Sequence, residues 1–191
     1  VAAGVADQDN DDPPDSMSAD VTFGFSVGDP CVAPATLISA VQGSGTTSPV
    51  TGTVVSIQGV VVGDYQGSTG LQGFHVQEED ADADADPATS EGIFVFQGAS
   101  GVAVAPGDVV RVNGTVIEFT SSGTQLTELS SVTSMTVCSS GATVTPASVS
   151  LPVAALADLE RFEGMSVQTT QTLTVTETFT LGRFGEISLK A

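Results

Sequence analysis

The sequence predicts a mainly β protein: a partly open Greek-key barrel with one short helix and an acidic N-terminal extension. Apolar residues recur with period two along most of the chain, the spacing of half-buried strands. The runs are rich in Val and Thr and are punctuated by turns drawn from 21 glycines and 9 prolines. Only one stretch has a helical pattern, so the strands are expected to pack on one another rather than under a helical layer. At 191 residues the chain suits one domain, residues 35–191, preceded by the acidic extension 1–34.

The first strand is expected over residues 53–62, β-branched and alternating before it becomes continuously apolar. Residues 71–77 and 92–96 make the next two strands, joined by an acidic loop. Residues 108–119 form a longer strand in which Gly114 marks a bulge or bend. Two shorter strands follow at 125–129 and 132–137. The helix is placed at 153–162, with Pro152 near its start, Ala and Leu inside it, and Gly164 just beyond its end. Residues 165–177 return to alternation, and a last strand begins at Gly185 and runs to Lys190.

The loop Glu78-Glu79-Asp80-Ala81-Asp82-Ala83-Asp84-Ala85-Asp86-Pro87 carries the chemistry of this chain. Its aspartates fall at every second position, and in an extended or gently turning backbone alternate side chains point the same way. Several oxygens then converge on one centre, which repels itself unless a cation neutralises it. Calcium fits best, because it accepts six to eight oxygens in a flexible shell. The expected ligands are Asp80, Asp82, Asp84, Asp86 and Glu91. Asp80, Asp82, Asp84 and Glu91 occupy the first, third, fifth and twelfth positions of an EF-hand count, but Ala85 replaces the turn glycine and Pro87 follows. The flanks read as strands, not helices. The alternative is a solvated acidic hairpin loop.

A second acidic run supports the calcium reading. Asp7, Asp9, Asp11 and Asp15 follow a D-x-D-x-D-x-x-x-D rhythm. It resembles the calcium-binding linkers of thrombospondin type III repeats, with Asp12 where a glycine is usual. The alternative for this run is a disordered acidic linker, since it has almost no apolar residues to pack.

Lys and Arg total 4 against 23 acidic residues, a formal charge of −19. Such a chain is repelled by nucleic acids and anionic membranes unless cations intervene, so nucleic-acid contact is expected only as weak and cation-dependent. Neither a signal peptide nor a transmembrane run is expected from this sequence, no membrane partner is expected, and, if the protein is secreted, the chain is expected to be already processed or a fragment. Cys31 and Cys138 have no Cys-x-x-Cys spacing, which argues against a redox motif or a zinc site. An acidic, lysine-poor surface suits a secreted protein in a calcium-rich medium and one long-range disulfide; two buried free thiols are the alternative.

No active site is expected. His75 is the sole histidine and sits inside an alternating strand, so a structural role is expected of it rather than that of a general base. Serines and threonines have no second histidine or placed lysine to form a triad or dyad. Arg111, Arg161 and Arg183 are expected to pair with Glu160, Glu163 and Glu186; the other reading lets Arg183 and Phe184 grip a phosphate and stack a base. The strand ending at Ile187-Ser188-Leu189-Lys190 has an unprotected edge, which invites pairing with a second copy or with following sequence.

An ordered series of short motifs carries a resemblance. Leu37-Ile38-Ser39-Ala40-Val41-Gln42-Gly43 opens it, followed by Gly73-Phe74-His75-Val76-Gln77-Glu78-Glu79-Asp80 and Thr89-Ser90-Glu91-Gly92-Ile93-Phe94-Val95. Gly107-Asp108-Val109-Val110-Arg111-Val112-Asn113-Gly114, Leu159-Glu160-Arg161-Phe162-Glu163-Gly164-Met165 and Leu181-Gly182-Arg183-Phe184-Gly185-Glu186 complete it. Over residues 35–191 the chain resembles the OB-fold-like domain of secreted bacterial nucleases of the ExeM/NucH type. The resemblance implies a non-catalytic accessory module. It also implies that a metal-dependent endonuclease/exonuclease/phosphatase-type catalytic domain follows this domain in the parent polypeptide.

Overall fold

A computed structural model of the chain describes residues 28–67, 70–99, 101–121, 123–184 and 187–191. Five strands form a closed barrel in the order β1-β2-β3-β5-β4: β1 (Val54–Tyr65), β2 (Gly73–Gln77), β3 (Gly92–Phe96), β4 (Val109–Ser121) and β5 (Thr124–Ser139). Strands β1 to β3 form a meander, and β4 returns to lie beside β1, a Greek-key arrangement. The barrel is closed rather than partly open. Val54 to Val60 of β1 pair with Thr115 to Val109 of β4, while Val60 to Tyr65 pair with β2 through a register shift between Val61 and Gly63. One strand with an irregularity in its middle thus serves both neighbours. The short parallel pairing of Phe94 and Val95 with Glu128 and Leu129 joins β3 to β5.

Period-two alternation puts Ile57, Val61, Phe74, Val76, Ile93, Val95, Val110, Val112, Val116 and Leu129 inside the barrel. The bulge expected at Gly114 is present as a register shift between Asn113 and Thr115. The two shorter strands expected at 125–137 are one strand, β5, which passes through Ser131 at φ 48° without breaking. The expected helix at 153–162 is a 3-10 segment over Leu156–Phe162 with no buried residue. Without an apolar face against the core, a short segment gains nothing from longer α-helical winding.

An α-helical turn that the strand reading passed over, α1 (Ile38–Gln42), plugs one end of the barrel with fully buried Ile38 and Val41. Beside it the chain approaches itself closely. A Cβ on Gly92 would lie 2.4 Å from the Gly164 carbonyl carbon, and Gly164 itself sits at φ +71°. Both glycines let the turn after the 3-10 segment rest on the start of β3.

Residues before α1 are strapped to the outside of the barrel. Cys31, in the 3-10 turn Pro30–Val32, is disulfide-bonded to Cys138 of β5, as expected. Arg111 of β4 is buried beneath this strap and donates to the carbonyls of Ala33 and Pro34 and to Ser56 Oγ. The carboxylate partner expected for Arg111 is therefore replaced by backbone oxygens. Arg161 lies 4.8 Å over the Phe162 ring rather than against Glu160 or Glu163. The pairing of Arg183 with Glu186, and the run Asp7, Asp9, Asp11 and Asp15, lie outside the described residues. Beyond the barrel, β6 (Ala147–Ser148) pairs in parallel with β7 (Val167–Gln168). An exposed two-stranded sheet joins β8 (Thr174–Glu177) to β9 (Ser188–Lys190).

Candidate metal centre

The loop between β2 and β3 turns immediately instead of extending. The Glu78 N–H donates to Glu91 O at 2.9 Å, closing the mouth of the loop. The N–H groups of Asp82 and Ala83 both donate to Glu79 O, at 2.8 and 3.1 Å. This single turn places Glu79 and Asp82 on one side, beside Glu78. Carboxylate oxygens of Glu78, Glu79 and Asp82 lie within 4.8 Å of one another, the only such trio among the described residues.

The alternating aspartates are otherwise engaged. Asp80 accepts from Thr145 N at 2.9 Å and Thr145 Oγ1 at 2.6 Å, and these bonds hold its carboxyl below the usual carboxylate range. Asp84 accepts from Asp86 N at 2.7 Å and from Thr89 Oγ1, and Asp86 accepts from Ala88 N at 2.9 Å. Slight desolvation works against ionisation of the exposed Asp84, but these bonds and one from Ser39 outweigh it and lower its pKa. Of the five loop residues expected as ligands, the structure brings only Asp82 into the cluster. Glu91 stands behind it, coupled electrostatically to Glu78 and bonded through Oε1 to Asp84 N at 2.9 Å. Glu78 and Glu79 were not in the expected set, because that set assumed extended backbone. The signal for them was their position as the first two residues after β2, where the chain must begin to turn.

Glu78 is 2 % exposed, and its Oε2 accepts from the backbone N–H of Ile38 at 2.6 Å, capping α1. Burial pushes its carboxyl up to about 8, and the charges of Glu79, Glu91 and Asp82 push the same way. Glu91 is raised chiefly by burial. Glu79 Oε1 takes a bond from Gln58 Nε2 at 3.2 Å. Three buried oxygens in this neighbourhood, Gln58 Oε1, Glu79 Oε2 and Glu91 Oε2, have no hydrogen-bond partner. No lysine or arginine side chain bonds these carboxylates among the described residues. The donor set is all oxygen, crowded and uncompensated, which suits a hard divalent cation and not zinc.

His75 is packed between Tyr65, with ring centroids 5.8 Å apart, and Phe94, at 5.0 Å, and burial lowers its pKa. Its Nδ1 has no hydrogen-bond partner among the described residues. Glu163 bonds Thr127 N at 2.9 Å and Gln42 Nε2 at 3.3 Å, a packing role at the barrel end. No helix among the described residues is long and apolar enough to cross a membrane. Compared with family models, curated proteins and solved structures, the chain matches none of them.

Proposed function

We propose that this chain is a non-catalytic, calcium-stabilised accessory module of a secreted protein. Calcium bound by Glu78, Glu79 and Asp82 would lock the acidic loop to the barrel end that α1 plugs. The observation carrying this reading is the crowding of three carboxylates beside buried oxygens that no protein group satisfies. A cation relieves both the mutual repulsion and the missing partners. The resemblance to the OB-fold-like domain of ExeM/NucH-type nucleases supplies the context. There the module would position a following catalytic domain, and cations would permit weak contact with nucleic acid. A structural, self-assembling module is the second reading, favoured by the exposed β8–β9 sheet.

Thermal unfolding tests the metal. Calcium at a hundredfold excess over Kd would stabilise the native state by about 2.7 kcal/mol. The expected outcome is a higher Tm in calcium than in chelator, with the difference abolished in a Glu79→Gln/Asp82→Asn variant. Identical melting with and without calcium would sink the proposal. The purified chain should not nick plasmid DNA in calcium, magnesium or manganese. Sedimentation at rising concentration separates the two readings, since self-assembly is required only by the second.

A further inference from the structure

The outer face of β2, β3, β5 and β4 carries a groove of about 400 Å³ that is unrelated to the acidic loop. Strand register builds its floor. His75 of β2 pairs with Phe94 of β3, Phe94 with Glu128 of β5, and Glu128 with Ile117 of β4, so the four side chains form one row across the sheet. Phe96 lies to one side of this row and the Phe119–Leu126 pair to the other. The rim is open: Phe96 is 38 % and Phe119 50 % exposed.

Within this apolar lining stands one carboxylate. Glu128 is 4 % exposed, lines the groove, and has no hydrogen bond or cation partner among the described residues. An ionised carboxyl left unpaired against phenyl rings is costly, and a carboxyl retained there calls for a partner from outside. The other titratable group in the lining, His75, has its pKa lowered by burial and carries no negative charge to pair with a cation. No lysine or arginine lines the groove, so a phosphate or carboxylate would find no charged donor, and the field of a −19 chain repels both.

We propose that this groove binds a small organic cation, an aromatic or alicyclic body with one protonated amine, its apolar part against Phe94, Phe96 and Phe119 and its ammonium on Glu128. The volume lies in the usual range for small-molecule sites, and the mix of aromatic walls with one placed polar group is their common pattern. A charge-assisted hydrogen bond to Glu128 fixes orientation, and exposed phenyl faces favour a cation at the rim.

Three probes of one shape test this: naphthylethylamine, naphthylethanol and naphthylacetate, titrated into the calcium-saturated full chain and followed by amide NMR shifts. The amine should bind roughly tenfold more tightly than the alcohol, with shifts on β3 and β5, and the acetate should not bind. In Glu128→Gln the amine should fall to the affinity of the alcohol. Phe119→Ala, a change at an exposed rim position, should weaken both while leaving the spectrum of the barrel intact. Equal affinity of amine and alcohol in the wild type overturns the proposal. So do amine shifts that persist in Glu128→Gln or map to the acidic loop, and so does a groove already filled by a second copy, seen as concentration-dependent broadening without any probe.

Discussion

Glu128 and Glu163 hold their protons up to about 7, because burial disfavours the ionised carboxyl at each position. An unfolded chain releases these protons near 4.5, the ordinary value of a glutamate carboxyl. Between those values the folded state binds more protons than the unfolded one. The stability that these groups contribute is therefore fully present below about 4.5 and is lost as pH rises through about 7. Asp80 and Asp84, shifted down, act only at lower pH, where their contribution falls away on acidification. In chelator, the melting temperature should fall by several degrees between roughly pH 5 and pH 8. Glu163→Gln keeps the acceptor that Thr127 N uses and removes the titration, so calorimetry should find a flatter pH profile and a higher Tm than wild type at the alkaline end. A slope unchanged by Glu163→Gln and Glu128→Gln together would refute this account.

The helical turn α1 depends on a residue forty positions away in the chain. Leu37 stands at its N-cap position and offers no side-chain acceptor, and the carboxylate of Glu78 takes the Ile38 N–H instead. Ser39 bonds Asp84, and Gln42 Nε2 reaches Gly92 O at 2.6 Å, so the polar side of α1 is read by the acidic loop and the start of β3. A member of the carboxylate cluster thus also caps the helical turn at the barrel end. Glu78→Ala should cost about 1–2 kcal/mol in chelator, the usual value of a lost cap or hydrogen bond. Glu78→Gln, which keeps an acceptor for Ile38 N–H, should cost clearly less. Urea denaturation monitored by far-ultraviolet circular dichroism checks both, and equal losses in the two variants would exclude the capping role.

At the scale of the whole molecule, stability rests on few attractive charge pairs. The formal charge of −19 opposes compaction, and the described arginines bond backbone carbonyls or lie over a ring. What closes the chain is the barrel itself and the strap that Cys31–Cys138 and Arg111 hold against β4 and β5. The disulfide spans 107 residues of sequence. On the chain-entropy model a loop of that order contributes about 4–5 kcal/mol by restricting the unfolded state. A Cys31→Ser/Cys138→Ser variant should therefore unfold at markedly lower urea with its β spectrum unchanged. A midpoint within error of wild type would mean that Arg111 and the strap carry the closure alone.

Local pattern determined a good part of this protein. Period-two alternation located the strands, since a pleated surface with one buried face demands that spacing whatever surrounds it. Gly114 announced its bulge, and two cysteines in an acidic, Lys-poor chain announced their bond. The tertiary structure alone decided the rest. Closure of the barrel depends on β1 pairing on both edges, which no local run encodes. The α1 plug was hidden because its cap comes from Glu78, across the barrel end. The helix expected at 153–162 tightened into a 3-10 segment because no neighbour offered it an apolar surface. The carboxylates that meet are Glu78, Glu79 and Asp82 rather than the alternating aspartates, because two hydrogen bonds to Glu79 O turned the loop at once. Spacing along a chain fixes which carboxylates can meet only when the backbone conformation between them is known, and in a loop that conformation is set by what the loop is anchored to.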